Sequence, residues 1–281
     1  MFMRSKLFVP GSRPELFAKA VASRADALSF DLEDAVAKER KDEARGLLAG
    51  FLRDLPAGLG KVLVVRVNAV GTAWFQADLE AVAGPRLDLV NLPMVEEPGT
   101  VLEAAALLDR LDPAGRIRLL VNIETPRSLR NAAALACAHP RVAGLQIGYA
   151  DLLEPCGVDR ADQAALAHIR MTVRLAAAEA GVAAYDGAYA LVKDPDGYRA
   201  ECAAAKRHGF AGKSCIHPTQ IAIANQAFMP AAAEVERARR ILAAAAEAQA
   251  KGVGAFMVDG QMIDEPFLMG ARAIVALAEE V

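Results

Sequence analysis

Cysteine is sparse in this chain and never paired along it. The four, Cys137, Cys156, Cys202 and Cys215, fall in separate segments with no CxxC spacing. That speaks against a zinc site or a disulfide framework and leaves them as small core residues of a reducing compartment. A basic surplus is missing too. The net charge is −3 and no Lys/Arg run is interleaved with aromatics, so no nucleic acid is expected as a partner. Uninterrupted apolar runs are short. The Ala-rich stretch 231–250 is broken by Glu234, Glu236, Arg237, Arg239, Arg240 and Glu247, which excludes a membrane span there. The apolar run near the N-terminus is too short for a secretory signal, so a cytoplasmic protein without membrane contact is expected. Neither GxGxxG nor a Walker sequence is present, which disfavours a doubly wound nucleotide-binding fold.

What remains is a chain of 281 residues, 54% hydrophobic and with only 14 prolines, able to bury one large core. Apolar runs at 6–9, 27–32, 61–67, 88–92, 117–123, 142–147, 182–185 and 211–216 read as eight strands. Helical spacing fills 38–52, 73–83, 99–111, 162–180 and 194–208, and a further helix starts near Thr219. Ser12 with Glu15 three residues on is a capping-box pattern, expected to open a helix reaching about Arg24. Eight strands alternating with helices predict an α/β fold of the (β/α)8 TIM-barrel type over residues 1–230. Residues 231–281 read as a C-terminal helical extension, expected to pack on a neighbouring subunit. It has a turn at 251–254, a short apolar stretch 255–258 and a last helix running to the C-terminus.

Acids stand after the central strands: Glu124 after the fifth and Asp151 after the sixth. Parallel strands with crossover helices bring their carboxyl ends to one mouth. Two carboxylates there, with no Cys or His beside them, suit a hard divalent cation such as Mg2+. The ordinary alternative is that each is an N-cap or first-turn acid favoured by the helix dipole. The same mouth is expected to gather Arg4, Asp31, Glu33, Asp34, Arg66, Asn68, Lys213, Ser214 and His217. Arg66 closes an otherwise apolar strand, so it suits either a carboxylate or a developing enolate oxygen, or else a structural ion pair with Asp31, Glu33 or Asp34. His217 precedes Pro218 and reads more simply as a turn residue. His139, His168 and His208 carry no paired acid and are assigned no chemistry.

The ordered set RSKLFVPG at 4–11, DLEDAV at 31–36, RVN at 66–68, IET at 123–125, GYADL at 148–152, GKSCIHP at 212–218 and DGQMID at 259–264 resembles the citrate lyase beta-subunit family of the HpcH/HpaI aldolase superfamily. Malyl-CoA and citramalyl-CoA lyases are near relatives. The resemblance implies Mg2+-dependent cleavage of a 3-hydroxyacyl-CoA thioester, of the citryl-CoA type, to a 2-oxo acid such as oxaloacetate and acetyl-CoA. It implies Glu124 and Asp151 as metal ligands, and Arg66 with Glu124 as contacts to the oxo acid. Asp264 resembles the acid/base that relatives supply from a neighbouring subunit, and on its own it also reads as a helix N-cap. The segment 10–19 resembles the part that meets the CoA nucleotide, with Arg13 and Lys19 for phosphates. A homotrimer or hexamer is implied, and an acyl-carrier partner if the chain works within a lyase complex. Three departures stand out: Met94 and Gln261 where lysine is common, and Tyr149 where a small residue is usual beside Asp151. They bear on the acyl substrate more than on the metal site; the alternatives are a malyl-CoA or citramalyl-CoA lyase or a thioesterase of the same esters, and, of another class, a non-catalytic CoA-ester-binding subunit, against which the retention of Arg66, Glu124 and Asp151 speaks.

Overall fold

The β-branched and aliphatic runs fold as strands buried on both faces, and the segments between them fold as covering helices. A computed structural model describes residues 2–250 and 252–279. Strands β1 (Ser5–Pro10), β2 (Ala27–Asp31), β3 (Val62–Arg66), β4 (Leu89–Leu92), β5 (Arg118–Ile123), β6 (Val142–Ile147), β7 (Ala183–Asp186) and β8 (Gly212–Cys215) form a closed parallel barrel in chain order. Closure pairs Ser5 with Lys213 and Leu7 with Cys215. It requires Gly212, because a Cβ there would lie 1.9 Å from the carbonyl oxygen of Met3. The outer ring is α1 (Phe17–Ala22), α2 (Lys41–Asp54), α3 (Phe75–Val82), α4 (Pro98–Leu111), α5 (Pro126–Arg130), α6 (Ala132–Ala136), α7 (Tyr149–Leu153), α8 (Gln163–Glu179), α9 (Pro195–Arg207) and α10 (Thr219–Ala227).

Alternation along each strand sorts the side chains. Leu63 and Val65 of β3 face the large core under the helices, whereas Val64 joins Met3, Ala27, Leu89, Leu120 and Tyr185 in a small apolar plug inside the barrel. Two residues further along the inward positions are Ser29, Arg66, Asn91 and Asn122, and two further still are Asp31 and Glu124. The barrel interior thus changes from apolar to polar toward the carboxyl ends of its strands. That gradient locates the site.

The start of α1 differs from the expected one. Pro14 takes the first position of a short 3-10 turn, Pro14–Leu16, which moves the cap to Arg13, and no side chain caps it. Ser12 Oγ instead donates to the Ala35 carbonyl, Glu15 pairs with Arg13, and α1 begins at Phe17.

The chain divides into two compact units, the first reaching Phe228 and the second beginning at Met229. In the second, α11 (Ala232–Ala250) and α12 (Glu265–Glu279) pack around Ala238, Ile241, Leu268 and Ala271. Between them lies a hairpin that sequence reading missed, β9 (Phe256–Val258) against β10 (Gln261–Ile263). Its turn residues Asp259 and Gly260 have φ of 49° and 79°, the two positive values that a type I′ turn requires. Lys251 of the expected 251–254 turn lies outside the described residues, as do Met1 and the last two residues of the expected terminal helix. Among the described residues no helix is long and apolar enough to cross a membrane.

Candidate active site

Glu124 and Asp151 line the same cavity, which has a volume of about 980 Å³ and opens at the carboxyl ends of the barrel strands. Glu124 is not the cap of the helix after β5. Thr125 is: its hydroxyl accepts from the Ser128 amide at 3.0 Å, and Ser128 Oγ accepts from the Thr125 amide at 2.9 Å and from the Glu124 amide at 3.0 Å. That leaves the Glu124 carboxylate, 2% exposed, for other work. The Met94 amide donates to its Oε1 at 2.6 Å and Asn122 Nδ2 to its Oε2 at 2.9 Å. Met94 reaches it from a left-handed conformation, φ 52°, which for a residue with a Cβ costs roughly 1–2 kcal/mol. Burial pushes the Glu124 carboxyl up. The Met94 amide and Arg66 oppose the rise, and Asp151 adds to it. Asp151 does sit in the first turn of α7, so its ordinary reading and its place on the cavity hold together. Burial, then Asp34, raise its carboxyl.

Arg66 is held on Asp31 by two parallel bonds, Nε to Oδ1 at 2.8 Å and Nη2 to Oδ2 at 2.6 Å. Its Nη1 lies 2.7 Å from Glu33 and 3.3 Å from Asp34. The expected ion pair therefore exists, and Arg66 still lines the cavity. Asp31 is itself fixed by the amides of Glu33 and Ala35, each at 3.0 Å. Burial pushes the Glu33 carboxyl up to about 8, with Arg66 opposing and Asp34, Glu124 and Asp31 reinforcing. Buried Lys6 is drawn well below the usual ammonium range by desolvation and then by Arg66. This end of the cavity thus carries five carboxyl groups, those of Asp31, Glu33, Asp34, Glu124 and Asp151, against one guanidinium. Among the described residues no cluster of three or more His, Cys, Asp or Glu is set to hold a metal. Two carboxylates in an anionic mouth fit a cation that keeps open positions for water and substrate oxygens, which is the habit of Mg2+. Gln146 Oε1 and Ser214 Oγ, buried on the lining and without a hydrogen-bond partner among the described residues, add further polar groups.

The opposite wall was not foreseen. Asp186, at the end of β7, accepts from Lys213 Nζ at 2.7 Å, from Arg170 at 3.2 and 3.3 Å, and from the Tyr149 hydroxyl at 2.7 Å. Glu201 of α9 binds Lys213 at 2.8 Å and Arg160 at 2.6 Å, and the Arg160 guanidinium lies 4.2 Å over the Tyr149 ring. Burial would push the Asp186 carboxyl up, but Lys213 and Arg170 outweigh it and hold it at about 2. Like Asp31, Asp186 was visible as an acid at the end of an apolar run. Its partners come from distant segments and were not.

Several expected members of the mouth lie elsewhere. Arg4 pairs with Asp26 at 2.8 Å, and both residues precede their strands, so they sit at the amino end of the barrel. Asn68 is buried on Asp78 at 2.6 Å and on the Leu32 carbonyl. Lys213 belongs to the buried cluster behind the wall, and His217 is exposed, with its Nδ1 2.9 Å from the Thr219 hydroxyl in the turn. Arg13 and Lys19 are exposed and off the cavity lining, Arg13 being paired with Glu15. Asp264 is in the second unit, where its carbonyl accepts from Phe267 and Leu268 at the start of α12. Gln261 accepts from Arg237 in the same unit.

A closed parallel barrel with carboxylates and an arginine at its carboxyl mouth is the arrangement of a barrel enzyme. Residues 4–218 match the family described as HpcH/HpaI aldolase/citrate lyase, and the chain belongs to it. It is 39% identical over 279 residues to a (3S)-malyl-CoA thioesterase of Cereibacter sphaeroides, covering 99% of this chain and 95% of that protein. Among solved structures it resembles CitE of Mycobacterium tuberculosis in complex with magnesium, acetoacetate and coenzyme A. That match has a TM-score of 0.77 and 37% identity over 98% of this chain and 97% of the other. It also resembles a citrate lyase beta subunit from M. tuberculosis complexed with oxaloacetate and magnesium. There the TM-score is 0.69 and the identity 37%, over 82% and 98% of the two chains.

Proposed function

We propose that this protein is a Mg2+-dependent carbon–carbon lyase that cleaves a 3-hydroxyacyl-CoA of the citryl-CoA type to a 2-oxo acid and acetyl-CoA. The observation that carries this reading is the convergence of Glu124, Asp151 and Arg66 on one anionic cavity. The magnesium and oxaloacetate held by the similar citrate lyase beta subunit support it. Glu124 and Asp151 are the residues that would hold the ion. The chemistry that Mg2+ supplies there is Lewis-acid polarisation of the hydroxyl and carboxylate oxygens of the substrate.

The chain's own groups do the rest. Glu124 is oriented by Asn122 and the Met94 amide, so its carboxylate needs no rearrangement to serve as a ligand. As the carbon–carbon bond breaks, the proton of the hydroxyl oxygen passes to a mouth carboxylate, the hydroxyl carbon becomes the oxo carbon, and the electron pair of the broken bond passes to the thioester enolate. Arg66, rigid on Asp31, offsets the charge of that enolate and of the oxo-acid carboxylate. Asp264 from a neighbouring subunit's extension is the proton donor to the enolate carbon in a homotrimeric or hexameric assembly. Arg13 and Lys19 remain the proposed contacts to CoA phosphates, and an acyl-carrier partner belongs to this reading only if the chain works in a complex.

A second reading, hydrolysis of malyl-CoA, is favoured by the 39% identity to the malyl-CoA thioesterase. The experiment is a product assay on citryl-CoA and malyl-CoA with and without EDTA. The lyase reading expects oxaloacetate from citryl-CoA, no activity in EDTA, and loss of at least about a hundredfold in Glu124→Gln and Asp151→Asn with the melting temperature retained. Turnover that survives EDTA overturns the metal assignment. Free malate without a carbon–carbon cleavage product installs the thioesterase.

A further inference from the structure

The ionisable groups at the two ends of the cavity are balanced differently. At the Glu124 end carboxyl groups outnumber the single guanidinium. At the other end three cations, Lys213, Arg170 and Arg160, share only two carboxylates, those of Asp186 and Glu201. A buried cluster with one uncompensated positive charge is unfavourable unless something anionic joins it. Lys213 and Arg170 are sealed, at 0% and 1% side-chain exposure, whereas Arg160 is 29% exposed and lines the cavity. The surplus charge is therefore presented through Arg160. Glu201 grips it at 2.6 and 3.0 Å, and the Tyr149 ring supports it from below, so the guanidinium is held in place rather than free to swing. Glu154 and Asp159 also border this end, but both are exposed to solvent screening, and Asp159 accepts from the Ala161 amide.

We infer that Arg160 is a specificity-determining residue that receives a second carboxylate on the oxo-acid part of the substrate. The inference rests on the lyase reading above and deepens it, by making a dicarboxylic 2-oxo acid the preferred partner over a monocarboxylic one. The geometry suits it: Tyr149, under Arg160, lies two residues before Asp151 in α7, so one short helix carries both the metal-end acid and the platform for the cation. A pre-positioned guanidinium makes a charge-assisted pair with carboxylate, and its charge persists at any physiological pH.

The test is calorimetric binding of oxaloacetate, pyruvate and glyoxylate in the presence of Mg2+, which does not depend on turnover. Wild-type protein is expected to prefer oxaloacetate. Arg160→Gln is expected to weaken oxaloacetate at least about tenfold more than pyruvate or glyoxylate. Arg160→Lys, which keeps the charge and guards against a variant that merely misfolds, is expected to retain a preference for oxaloacetate. Equal weakening of all three acids in Arg160→Gln, discrimination unchanged in that variant, or no dicarboxylate preference in wild-type protein each overturns the inference. A selective loss of oxaloacetate binding in a protein that cleaves no thioester upholds it while the lyase reading fails.

Discussion

A hydrogen atom in place of a side chain at position 148 decides where Glu124 sits. A Cβ there would lie 2.5 Å from both Glu124 Cβ and Oε2, closer than atoms tolerate, and Glu124 Cβ is too near the backbone to step aside. Gly148→Ala is thus expected to weaken Mg2+ binding by about ten- to a hundredfold, the usual range for losing the support of a metal ligand, with the barrel intact by circular dichroism. Titration of Mg2+ by calorimetry checks it, and wild-type affinity would contradict the packing argument. The acids themselves were legible because each follows closely on an apolar strand run. Their supports were less so. Met94 stood out only as a departure from lysine, yet it acts through its amide, and main-chain donors leave no trace in residue identity.

Elements were legible where burial on both faces writes a continuous apolar run, as in β3 and β5, and less so where local chemistry competes. The Ser12 and Glu15 pattern was overridden by Pro14, and the Asp259-Gly260 hairpin signal was present but flanked by strands of only three residues each. The cluster around Asp186 ties β7, β8, α8 and α9 together across sequence separations of 12 to 31 residues, which no local pattern records. It has a pH signature. The Asp186 carboxyl, ordinarily near 3.8, is held at about 2, so its contribution is present above about pH 4 and is lost as pH falls toward 2. The shift corresponds to about 2–3 kcal/mol. Asp186→Asn, which leaves Lys213 and Arg170 short of a partner, is expected to destabilise by about 3–5 kcal/mol at neutral pH and to flatten the decline between pH 4 and 2. Urea unfolding at several pH values measures both, and an unchanged acid slope would contradict the assignment.

For the whole molecule, strand count and order were readable because the βα period repeats eight times, and that period fixed which strand ends share a face. Arg4 shows the limit: it stands before its strand, and chain direction sends it to the far end of the barrel. The role of the extension is a question of assembly. If Asp264 serves a neighbour's mouth, mixing equal amounts of Asp264→Ala and Arg66→Ala protomers should restore activity at roughly a quarter of sites, since each site draws one residue from each of two subunits. Separate inactive variants and an active mixture would support the shared site. No rescue after subunit exchange would place the whole site in one chain.

With the substrate and the Arg160 contact proposed above, the unlike ends of the cavity would also fix handedness. A substrate pinned at the Glu124 end by one acid group, at Arg160 by another, and at the opening by its thioester arm has three distinguishable attachments around its tertiary alcohol carbon. Its mirror image satisfies two of them at most. Stereoselectivity would then come from the uneven distribution of charge around the barrel rim, with no wall needed to shut the wrong enantiomer out.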